Sequence, residues 1–536
     1  MTTEASTELV MRATRRWRPS RLIVTASGIV AVLSLPLVYL VMRALESGAE
    51  GFEYLLRPRT LTIFVNSLVL TVVVVVASGV IGITFAWLTT RTNTPFRRVL
   101  LVLGLLPMAI PSYIGSLTLV AAFGPVGYLQ KLLEPLGVTR LPDIYGLFGA
   151  AFAITLFTYP YFALPVRAAL LNLDTSLEEA AQSLGSSRWS IFWRVTLPVL
   201  RPSIAAGAIL TAMYTLSDFG AVMVMRYNAF SRAIYVAYNS SFDRNRAALL
   251  ALVLVACTLL LSWMERRAMD SIRTYRVGKG TSKRAPMLKS GLWHIPALVF
   301  LTILIGIGVI LPVGTLVGWA LNPAANSPID MNMPQASWNA VSSSAITALV
   351  TAAAAVPLGL LARRSSSRFA RTLVGLAYIG NALPGIVIGL ALVFFGANAF
   401  PAIYQTLPLL VLGYAIRFLP YALASTRSAL SGMSPALEEA GRSLGLTTVQ
   451  VALRVTLPLM GTGIIAGMGL VFLNTMKELP TTLMLAPIGF QTPATRVWMA
   501  SEAGQLALIG LPGLILIGLS CLGLVILLWR DERATD

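Results

Sequence analysis

The chain has 536 residues, of which 56% are hydrophobic and only 12% are charged, and its mean hydropathy is +0.76. A soluble domain carries about 25% charged residues, so this composition excludes a water-soluble multidomain protein and indicates an integral membrane protein. The formal net charge is nevertheless +19; in a membrane protein such charge reports orientation, and we expect no nucleic-acid partner.

Runs of about 20 apolar residues, the length that crosses a bilayer as a helix, occur twelve times in the chain. They lie near 22–43, 62–90, 98–123, 145–171, 204–225, 246–264, 292–321, 338–362, 371–397, 403–430, 464–486 and 505–529. The first run follows five arginines but has no small-residue cleavage site, so we expect a retained helix and not a secretory signal. Kinks are predicted at prolines inside the runs, namely Pro107, Pro111, Pro160 and Pro384.

The basic residues concentrate on one side of these runs. With both termini placed in the cytoplasm, the cytoplasmic segments carry 29 of the 41 Lys and Arg residues, as the positive-inside rule requires. We therefore expect a multi-pass protein of a bacterial inner membrane with both termini cytoplasmic. The segment 265–291 is rich in basic residues and contains Gly and Pro, which is typical of a solvated tether near anionic lipid.

The sequence offers few groups for metal or nucleotide binding. Cys257 and Cys521 lie inside apolar runs and His294 is the single histidine, so no metal-ligand spacing exists. The Gly278-Lys279 pair lacks the earlier glycine of a phosphate-binding loop. We expect no metal site, no cofactor and no catalytic residue in this chain.

A segment after the fourth run is repeated 260 residues later. Residues 178–204 read EEAAQSLGSSRWSIFWRVTLPVLRPSI and residues 438–464 read EEAGRSLGLTTVQVALRVTLPLMGTGI, with twelve identities in 27 positions. Earlier in each half an offset of 273 pairs Pro111 with Pro384. Two halves with even numbers of spans run parallel and enclose a pathway at their interface. The chain is thus predicted to be a transporter or channel with halves 1–264 and 292–536.

Each repeated segment has the pattern of a short helix opened by acidic residues, a glycine break and a second helix that re-enters the membrane at Leu-Pro. The pattern resembles the characteristic loop of ABC importer membrane subunits: E-A-A, three residues, G, nine residues, a branched apolar residue, one residue, L-P. The first copy has Glu178, Glu179, Ala180, Ala181, Gly185, Val195, Leu197 and Pro198. The second copy has Glu438, Glu439, Ala440, Gly441, Gly445, Val455, Leu457 and Pro458.

The resemblance implies the type I ABC importer permease fold: an all-α integral membrane protein with about twelve transmembrane helices in two parallel-related halves. It implies that the two loops are coupling helices, each fitting a groove on an ATPase subunit. Two loops then imply two ATPase copies, which hold ATP and Mg, around one copy of this chain. An extracytoplasmic substrate-binding protein would deliver the cargo, and the chain itself would not be an enzyme.

Two acidic residues lie deep in the predicted spans, where ionisable groups are costly and are functional candidates. Asp218 and Glu478 occupy equivalent positions at the 260-residue offset, and we assign them as pathway or gate residues. Hard oxygen ligands suit a hard cation. Because Lys477 precedes Glu478, a local ion pair or a gate lock is the alternative.

The surroundings of these acids carry a narrower resemblance. Ser217-Asp218-Phe219-Gly220, the stretch from Met476 to Thr482 and the stretch from Ala494 to Trp498 resemble the fused ferric-iron permeases. Related permeases serve thiamine, and more distant ones serve molybdate, sulfate or polyamines. The resemblance therefore implies Fe(III) as cargo, with thiamine or another small solute as the alternative.

An ion-coupled secondary carrier with parallel six-helix repeats is the rival from another class. It would need no ATPase, and it would leave the two repeated loops unexplained. The predicted loop 91–98 also lacks the G-x-x-x-D-[RK] signature of major facilitator carriers. An unpowered pore fails to account for the loops in the same way.

Overall fold

A computed structural model of the chain describes residues 20–171, 173, 176–239, 243–272, 294–322, 332–365 and 367–521. Within these ranges the regular structure is helical. The first repeat half contains α1 (Ser20–Glu46), α2 (Gly48–Leu56), α3 (Pro58–Arg91), α4 (Arg97–Leu105), α5 (Ser112–Phe123), α6 (Tyr128–Leu133), α7 (Leu147–Leu171), α8 (Ser176–Ser183), α9 (Arg188–Ile191), α10 (Leu197–Ser217), α11 (Gly220–Val224), α12 (Phe230–Asn239) and α13 (Arg244–Ile272).

The second half contains α14 (His294–Ile305), α15 (Leu311–Ala320), α16 (Met333–Arg364), α17 (Arg368–Leu376), α18 (Ile379–Ala382), α19 (Gly385–Asn398), α20 (Leu407–Ser431), α21 (Pro435–Ser443), α22 (Thr448–Val451), α23 (Leu457–Leu459), α24 (Gly461–Met476), α25 (Pro480–Leu485) and α26 (Pro493–Glu502), and then α27 (Leu506–Cys521). Single π-helical turns at Phe192–Thr196, Gly306–Ile310 and Ala452–Thr456 join consecutive helices.

The described helices account for the predicted spans. Nine are long and apolar enough to cross a membrane, and two bent pairs raise the number to eleven. The pairs bend by 106° between Arg368–Ala382 and Gly385–Asn398, and by 65° between Val449–Leu459 and Gly461–Met476. The twelfth predicted run, 505–529, begins with α27 and continues outside the described residues. The chain is thus an all-α, multi-pass membrane protein.

The long helix α3 shows how these helices pack. Its valines at 65, 72, 76 and 80 are exposed, which suits a face that meets lipid. Five of its small polar residues, Thr60, Ser67, Thr71, Ser78 and Thr89, are buried. The Ser78 hydroxyl lies 3.0 Å from that of Thr158 on α7. A Cβ on Gly82 would come within 2.6 Å of the Phe162 Cβ, so α3 and α7 approach as closely as small-residue interfaces of membrane helices do.

The proline positions differ in effect. Pro111 and Pro384 directly precede α5 and α19, so the third span of each half is broken at a matched position. Pro107 lies in a short 3-10 turn, Leu106–Ala109. Pro160 lies inside α7, which continues through it.

The fifth span of the first half also differs from its predicted bounds, 204–225. Its helix α10 continues without a break from α9 through the π-helical turn 192–196, so the helical span runs from Trp189 to Ser217. It ends at Ser217, and Asp218 separates it from α11. The hydropathy run missed both ends because Arg201 and Pro202 interrupt its start and apolar residues continue beyond the break.

The described residues form two compact units. One takes its described residues from Met1–Leu35, Ser344–Asn381 and Tyr414–Phe472, and the other from Pro36–Ser343, Ala382–Gly413 and Leu473–Asp536. Each unit takes segments from both repeat halves, so the division of the sequence into 1–264 and 292–536 stays a prediction. Of the predicted linker 265–291, the first eight residues belong to α13, and the remainder lies outside the described residues.

Candidate functional site

The first repeated loop folds as two short helices around a glycine turn. Helix α8 ends at Ser183, and Gly185 adopts a φ of +81°, the left-handed region that favours glycine. Helix α9 follows and passes through the π-helical turn 192–196 into α10 at Leu197-Pro198. The glycine therefore lies at the turn between the two short helices, and the proline directly follows the π-helical turn.

The second loop repeats this geometry. Helix α21 is capped by Ser434, whose hydroxyl accepts a hydrogen bond from the Ala436 amide. Gly445 has a φ of +82°. Helix α22 then passes through the π-helical turn 452–456 into Leu457-Pro458. Both predicted loops thus have the predicted helix–turn–helix form.

The first glutamate of each loop is turned inward. The Glu178 carboxylate accepts hydrogen bonds from the Arg91 guanidinium at the end of α3 and from the Thr196 hydroxyl, the latter at 2.7 Å. The Arg91 side chain is only 4% exposed and that of Glu178 15%. Glu178 therefore ties α8 to the end of one membrane helix and to the turn that begins another.

Glu438 makes the equivalent contacts in the second loop. Its carboxylate accepts from Arg364, at the end of α16, at 3.2 Å, and from the Thr456 hydroxyl at 3.1 Å. We call these two sets, Arg91–Glu178–Thr196 and Arg364–Glu438–Thr456, the loop clamps. Their Arg and Thr members were not among the predicted site residues, although the offsets of 273 and 260 pair Arg91 with Arg364 and Thr196 with Thr456.

The second glutamate of each loop, Glu179 or Glu439, points outward. Both are exposed, as are the next residues, Ala180 and Ala440. Large apolar side chains accompany them at the helix ends, since Leu184 is 86% exposed and Leu444 is 82% exposed. Each loop thus presents a short strip with one carboxylate, a small residue and one leucine, which suits docking into a complementary groove.

The second small position of the motif differs between the two copies. Ala181 is partly buried, whereas Gly441 is fully buried. A Cβ on Gly441 would lie 3.3 Å from Cγ2 of Val451 and 3.5 Å from Cγ2 of Val455. Helix α21 therefore lies close against the helices that follow it.

Asp218 and Glu478 lie at the breaks of the fifth spans, and each is only 7% exposed. Asp218 Oδ1 accepts from the Ala221 amide at 2.8 Å. Glu478 Oε1 accepts from the Thr481 amide at 3.2 Å and from the Thr481 hydroxyl at 2.8 Å. Each carboxylate thereby accepts from one unpaired amide at the start of the short helix that follows the break.

The same two sites reach the broken third spans. The Ser112 hydroxyl, at the start of α5, donates to Asp218 Oδ2. The Thr481 hydroxyl lies 3.3 Å from the carbonyl of Gly385, at the start of α19. Because Ser112 and Gly385 are paired by the 273 offset, each half joins its third and fifth spans at matched points. Lys477 interacts electrostatically with the adjacent Glu478.

The three segments that carry the iron-type resemblance share one buried cluster. Phe219, Leu479 and Trp498 all belong to it, and the rings of Phe219 and Trp498 have centroids 5.2 Å apart. Segments from the two repeat halves therefore meet beside Asp218. Among the residues that the structure describes, no three His, Cys, Asp or Glu side chains are close enough to hold a metal ion.

Comparisons with known proteins agree with this arrangement. The family model described as binding-protein-dependent transport system inner membrane component matches twice, at residues 78–273 and 355–533. The Fe(3+)-transport system permease protein FbpB 2 of Haemophilus influenzae is 32% identical over 482 residues, which cover 89% of this chain and 91% of the relative.

Sulfate transport permeases are similar over a shorter part of the chain. The sulfate transport system permease protein CysT of Escherichia coli is 32% identical over 43% of this chain and 84% of the relative. The protein CysW of Synechocystis is 30% identical over 45% of this chain and 89% of the relative. The double match and the end-to-end similarity show that the chain belongs to the family of binding-protein-dependent transport system inner membrane components, as a fused two-half ABC permease resembling ferric-iron permeases.

Proposed function

We propose that the chain is the translocation subunit of an importer powered by ATP hydrolysis in two partner subunits. The pair of equivalent loops carries this proposal, because each presents an outward glutamate, Glu179 or Glu439, beside exposed small and apolar residues. Two matching surfaces fit two copies of one ATPase, with one copy of this chain. ATP and Mg would reside in those partners, and this chain would contribute no catalytic residue.

The proposal extends to the orientation and the transport cycle. The loops would lie in the cytoplasm with both termini, since that placement puts most basic residues inside. An extracytoplasmic binding protein would deliver the cargo to the opposite face. ATP-driven movement of the loops would then shift the two halves between outward-open and inward-open states.

Ferric iron is the cargo we propose. The relative described as an Fe(3+)-transport permease matches 89% of this chain, whereas the sulfate permeases match 43% and 45%. The match to the iron relative thus includes both halves and the fused architecture. Thiamine or another small solute is the alternative cargo, and an ion-coupled carrier is the alternative mechanism.

A double substitution of the outward glutamates tests the coupling. In membranes containing the assembled importer, Glu179→Ala with Glu439→Ala should abolish ATP-dependent uptake or release the ATPase, because both docking strips lose their charge. Glu50→Ala with Glu134→Ala, which removes two other exposed glutamates, is the matched control. Unchanged uptake and unchanged ATPase copurification in the first variant would sink the coupling assignment.

Cargo and energy source are tested by uptake and growth. A deletion strain should grow poorly when iron is limiting, and radiolabelled iron uptake should return with the wild-type chain. Excess sulfate or thiamine should not compete with that uptake. Uptake that persists without the ATPase but collapses with a proton uncoupler would favour the secondary carrier.

A further inference from the structure

Four aromatic side chains pack together where the first repeated loop leads into a membrane-spanning helix. Trp189 lies on α9, Phe192 and Trp193 lie on the π-helical turn after it, and Trp87 lies on α3. The centroid of the Phe192 ring is 5.1 Å from that of Trp87, 5.5 Å from that of Trp193 and 6.1 Å from that of Trp189. We call these four residues the aromatic cluster. Two of them remain open, since Trp189 is 70% exposed and Trp193 is 51% exposed.

The cluster lies at the end of a span. The helical stretch Trp189–Ser217 is long and apolar enough to cross a membrane, and Trp189 is its first residue. Tryptophan is enriched at both membrane–water interfaces, because its ring has an apolar body and one polar N–H group. Two exposed tryptophans within the first five residues of a span therefore have the position of an interfacial anchor.

The charge around the cluster is positive. Arg194 and Arg201 are exposed, and no Asp or Glu occurs in the sequence from residue 180 to residue 217. Segments that combine exposed basic residues with tryptophan and phenylalanine bind at membrane surfaces, and anionic lipids attract them most strongly. The surface is thus complementary to a layer of anionic lipid headgroups.

The second repeat lacks this surface. Aliphatic residues replace the four aromatic residues at the offsets of 260 and 273, namely Val449, Ala452, Leu453 and Leu360. The helix Val449–Leu459 also bends by 65° from Gly461–Met476, whereas Trp189–Ser217 is one unbroken span. The aromatic cluster is therefore a property of the first loop and not of the repeat.

This difference indicates which partner meets the cluster. Two copies of one ATPase would contact matched residues of the two loops, and this step rests on the function proposed above. The exposed glutamate, small residue and leucine of the docking strip do recur in both loops. The aromatic residues have no such match, so they suit lipid better than a partner that both loops share.

We propose that the aromatic cluster anchors the first loop in the headgroup layer of a membrane that contains anionic lipid. Trp189 and Trp193 then lie among the headgroups, beside the two exposed arginines. The Arg91 guanidinium lies 5.7 Å from the centroid of the Trp87 ring, so the anchor also contacts the first loop clamp. The first loop is thus held by its clamp and by lipid, whereas the second loop has its clamp and no aromatic anchor.

The test measures how close each loop lies to lipid headgroups. Ser190→Cys and Gln450→Cys, at equivalent positions of the two loops, each receive a fluorophore in a chain that carries Cys257→Ser and Cys521→Ser. The full chain is placed in nanodiscs of phosphatidylcholine and phosphatidylglycerol that include a lipid with a nitroxide on its headgroup. The nitroxide should quench the label at position 190 more strongly than the label at position 450.

An exchange of the two tryptophans tests the cluster itself. Trp189→Val with Trp193→Leu gives the first loop the residues of the second, and quenching at position 190 should then fall to the level at position 450. Trp338→Leu, which removes an exposed tryptophan outside the cluster, should leave quenching at position 190 unchanged. In nanodiscs of phosphatidylcholine alone, quenching at position 190 should fall because the headgroups carry no net charge.

Each result decides the proposal. Stronger quenching at position 190, lost in the exchanged variant and kept in Trp338→Leu, supports the anchor. Equal quenching at positions 190 and 450 would overturn it, and this comparison leaves the cluster intact if the exchanged variant fails to fold. Unchanged quenching without phosphatidylglycerol would overturn the role of anionic lipid.

The same measurement with the ATPase added separates this proposal from the proposed function. Loss of quenching at position 190 when the ATPase assembles would assign the cluster to that partner and overturn the lipid anchor. If no ATPase assembles but the difference between positions 190 and 450 remains, the proposed function fails and the anchor stands.

Discussion

The two repeated loops and the two breaks of the fifth spans have diverged to different extents. In the loops, clamp, positive-φ glycine and π-helical turn recur with the same residue types, as in Arg91–Glu178–Thr196 and Arg364–Glu438–Thr456. At the breaks, Asp218 stands where the second half has Glu478, and Ser112 stands where it has Gly385. The break of the helix and its contact with the third span recur there, but the side chains that make the contact differ.

This difference fits the partners we propose. Two loops that dock onto two identical ATPase subunits must keep the same shape and charge. If the breaks face a single cargo that passes once between the two halves, nothing would require them to match. A fused chain with two identical ATPase partners and one pathway would keep its two loops alike and would let the two breaks diverge.

The loop clamps give the largest expected effect. Glu178→Ala leaves the Arg91 guanidinium, only 4% exposed, without its carboxylate, and breaking a buried ion pair in this way destabilises a protein by about 3–5 kcal/mol. We expect a comparable loss for Glu438→Ala. Thermal unfolding midpoints of the detergent-solubilised chain measure both.

Glu179→Ala is the control for this comparison, because the exposed neighbour should change the midpoint little. Glu178→Gln should fall between the two, since an amide oxygen still accepts from Thr196. A midpoint for Glu178→Ala equal to that of Glu179→Ala would contradict the clamp. A lower midpoint for only one of Glu178→Ala and Glu438→Ala would show that the two clamps are not equivalent.

The turn glycines should give the next largest effect. Gly185→Ala and Gly445→Ala place a Cβ in the left-handed region, at φ of +81° and +82°, which costs about 1–2 kcal/mol. Limited proteolysis of the loops and ATPase copurification should both report the change. Gly461→Ala is the matched control, since no atom crowds its Cβ position and its φ is ordinary; equal behaviour of all three variants would argue against strained turns.

The breaks should show a smaller and chemically different response. Asp218→Ala removes the acceptor of the Ala221 amide and of the Ser112 hydroxyl, and loss of such a cap typically costs about 1 kcal/mol. Asp218→Asn should restore most of this stability because its amide oxygen still accepts.

Uptake then separates capping from cargo contact. If the carboxylate charges contact the cargo, the double variant Asp218→Asn with Glu478→Gln folds like the wild type but transports poorly. Radiolabelled iron uptake into membrane vesicles measures this. Intact uptake would remove both residues from the pathway and leave them the capping role that their hydrogen bonds define.

The sequence predicted what depends on local pattern. Long apolar runs predict membrane-spanning helices, because a helix satisfies its own backbone hydrogen bonds in lipid. In the loops, Gly185 and Pro198 predict the turn and the re-entry toward the membrane. The partners of Glu178 were beyond such reasoning, because Arg91 lies 87 residues away and only packing brings it there. The break at Asp218 was missed for a related reason: a carboxylate that caps a helix of five residues leaves no periodic signal.

The grouping of the helices into two compact units could not be predicted from the sequence pattern either. A repeat indicates two similar halves, but the helices group by the surfaces they bury and not by their order in the chain. The second compact unit therefore includes the described residues from Leu473 onward together with most of the first half. The cluster of Phe219, Leu479 and Trp498 gives the reason in residues, because segments far apart in sequence bury one another.

The smallest expected effect concerns the one small residue that differs between the loops. Gly441→Ala gives helix α21 the residue of the first loop, and an alanine is about 1 kcal/mol more favourable than glycine inside a helix. The new Cβ would lie 3.3 Å from Val451 Cγ2, so that methyl must yield by a few tenths of an ångström and offset part of the gain. We expect a rise in the thermal midpoint equivalent to less than about 1 kcal/mol, and a fall of similar size for Ala181→Gly. A clear fall in the thermal midpoint of Gly441→Ala would instead mean that Val451 cannot move. The second loop would then hold its helices closer together than the first loop does, and the two docking strips would differ in shape.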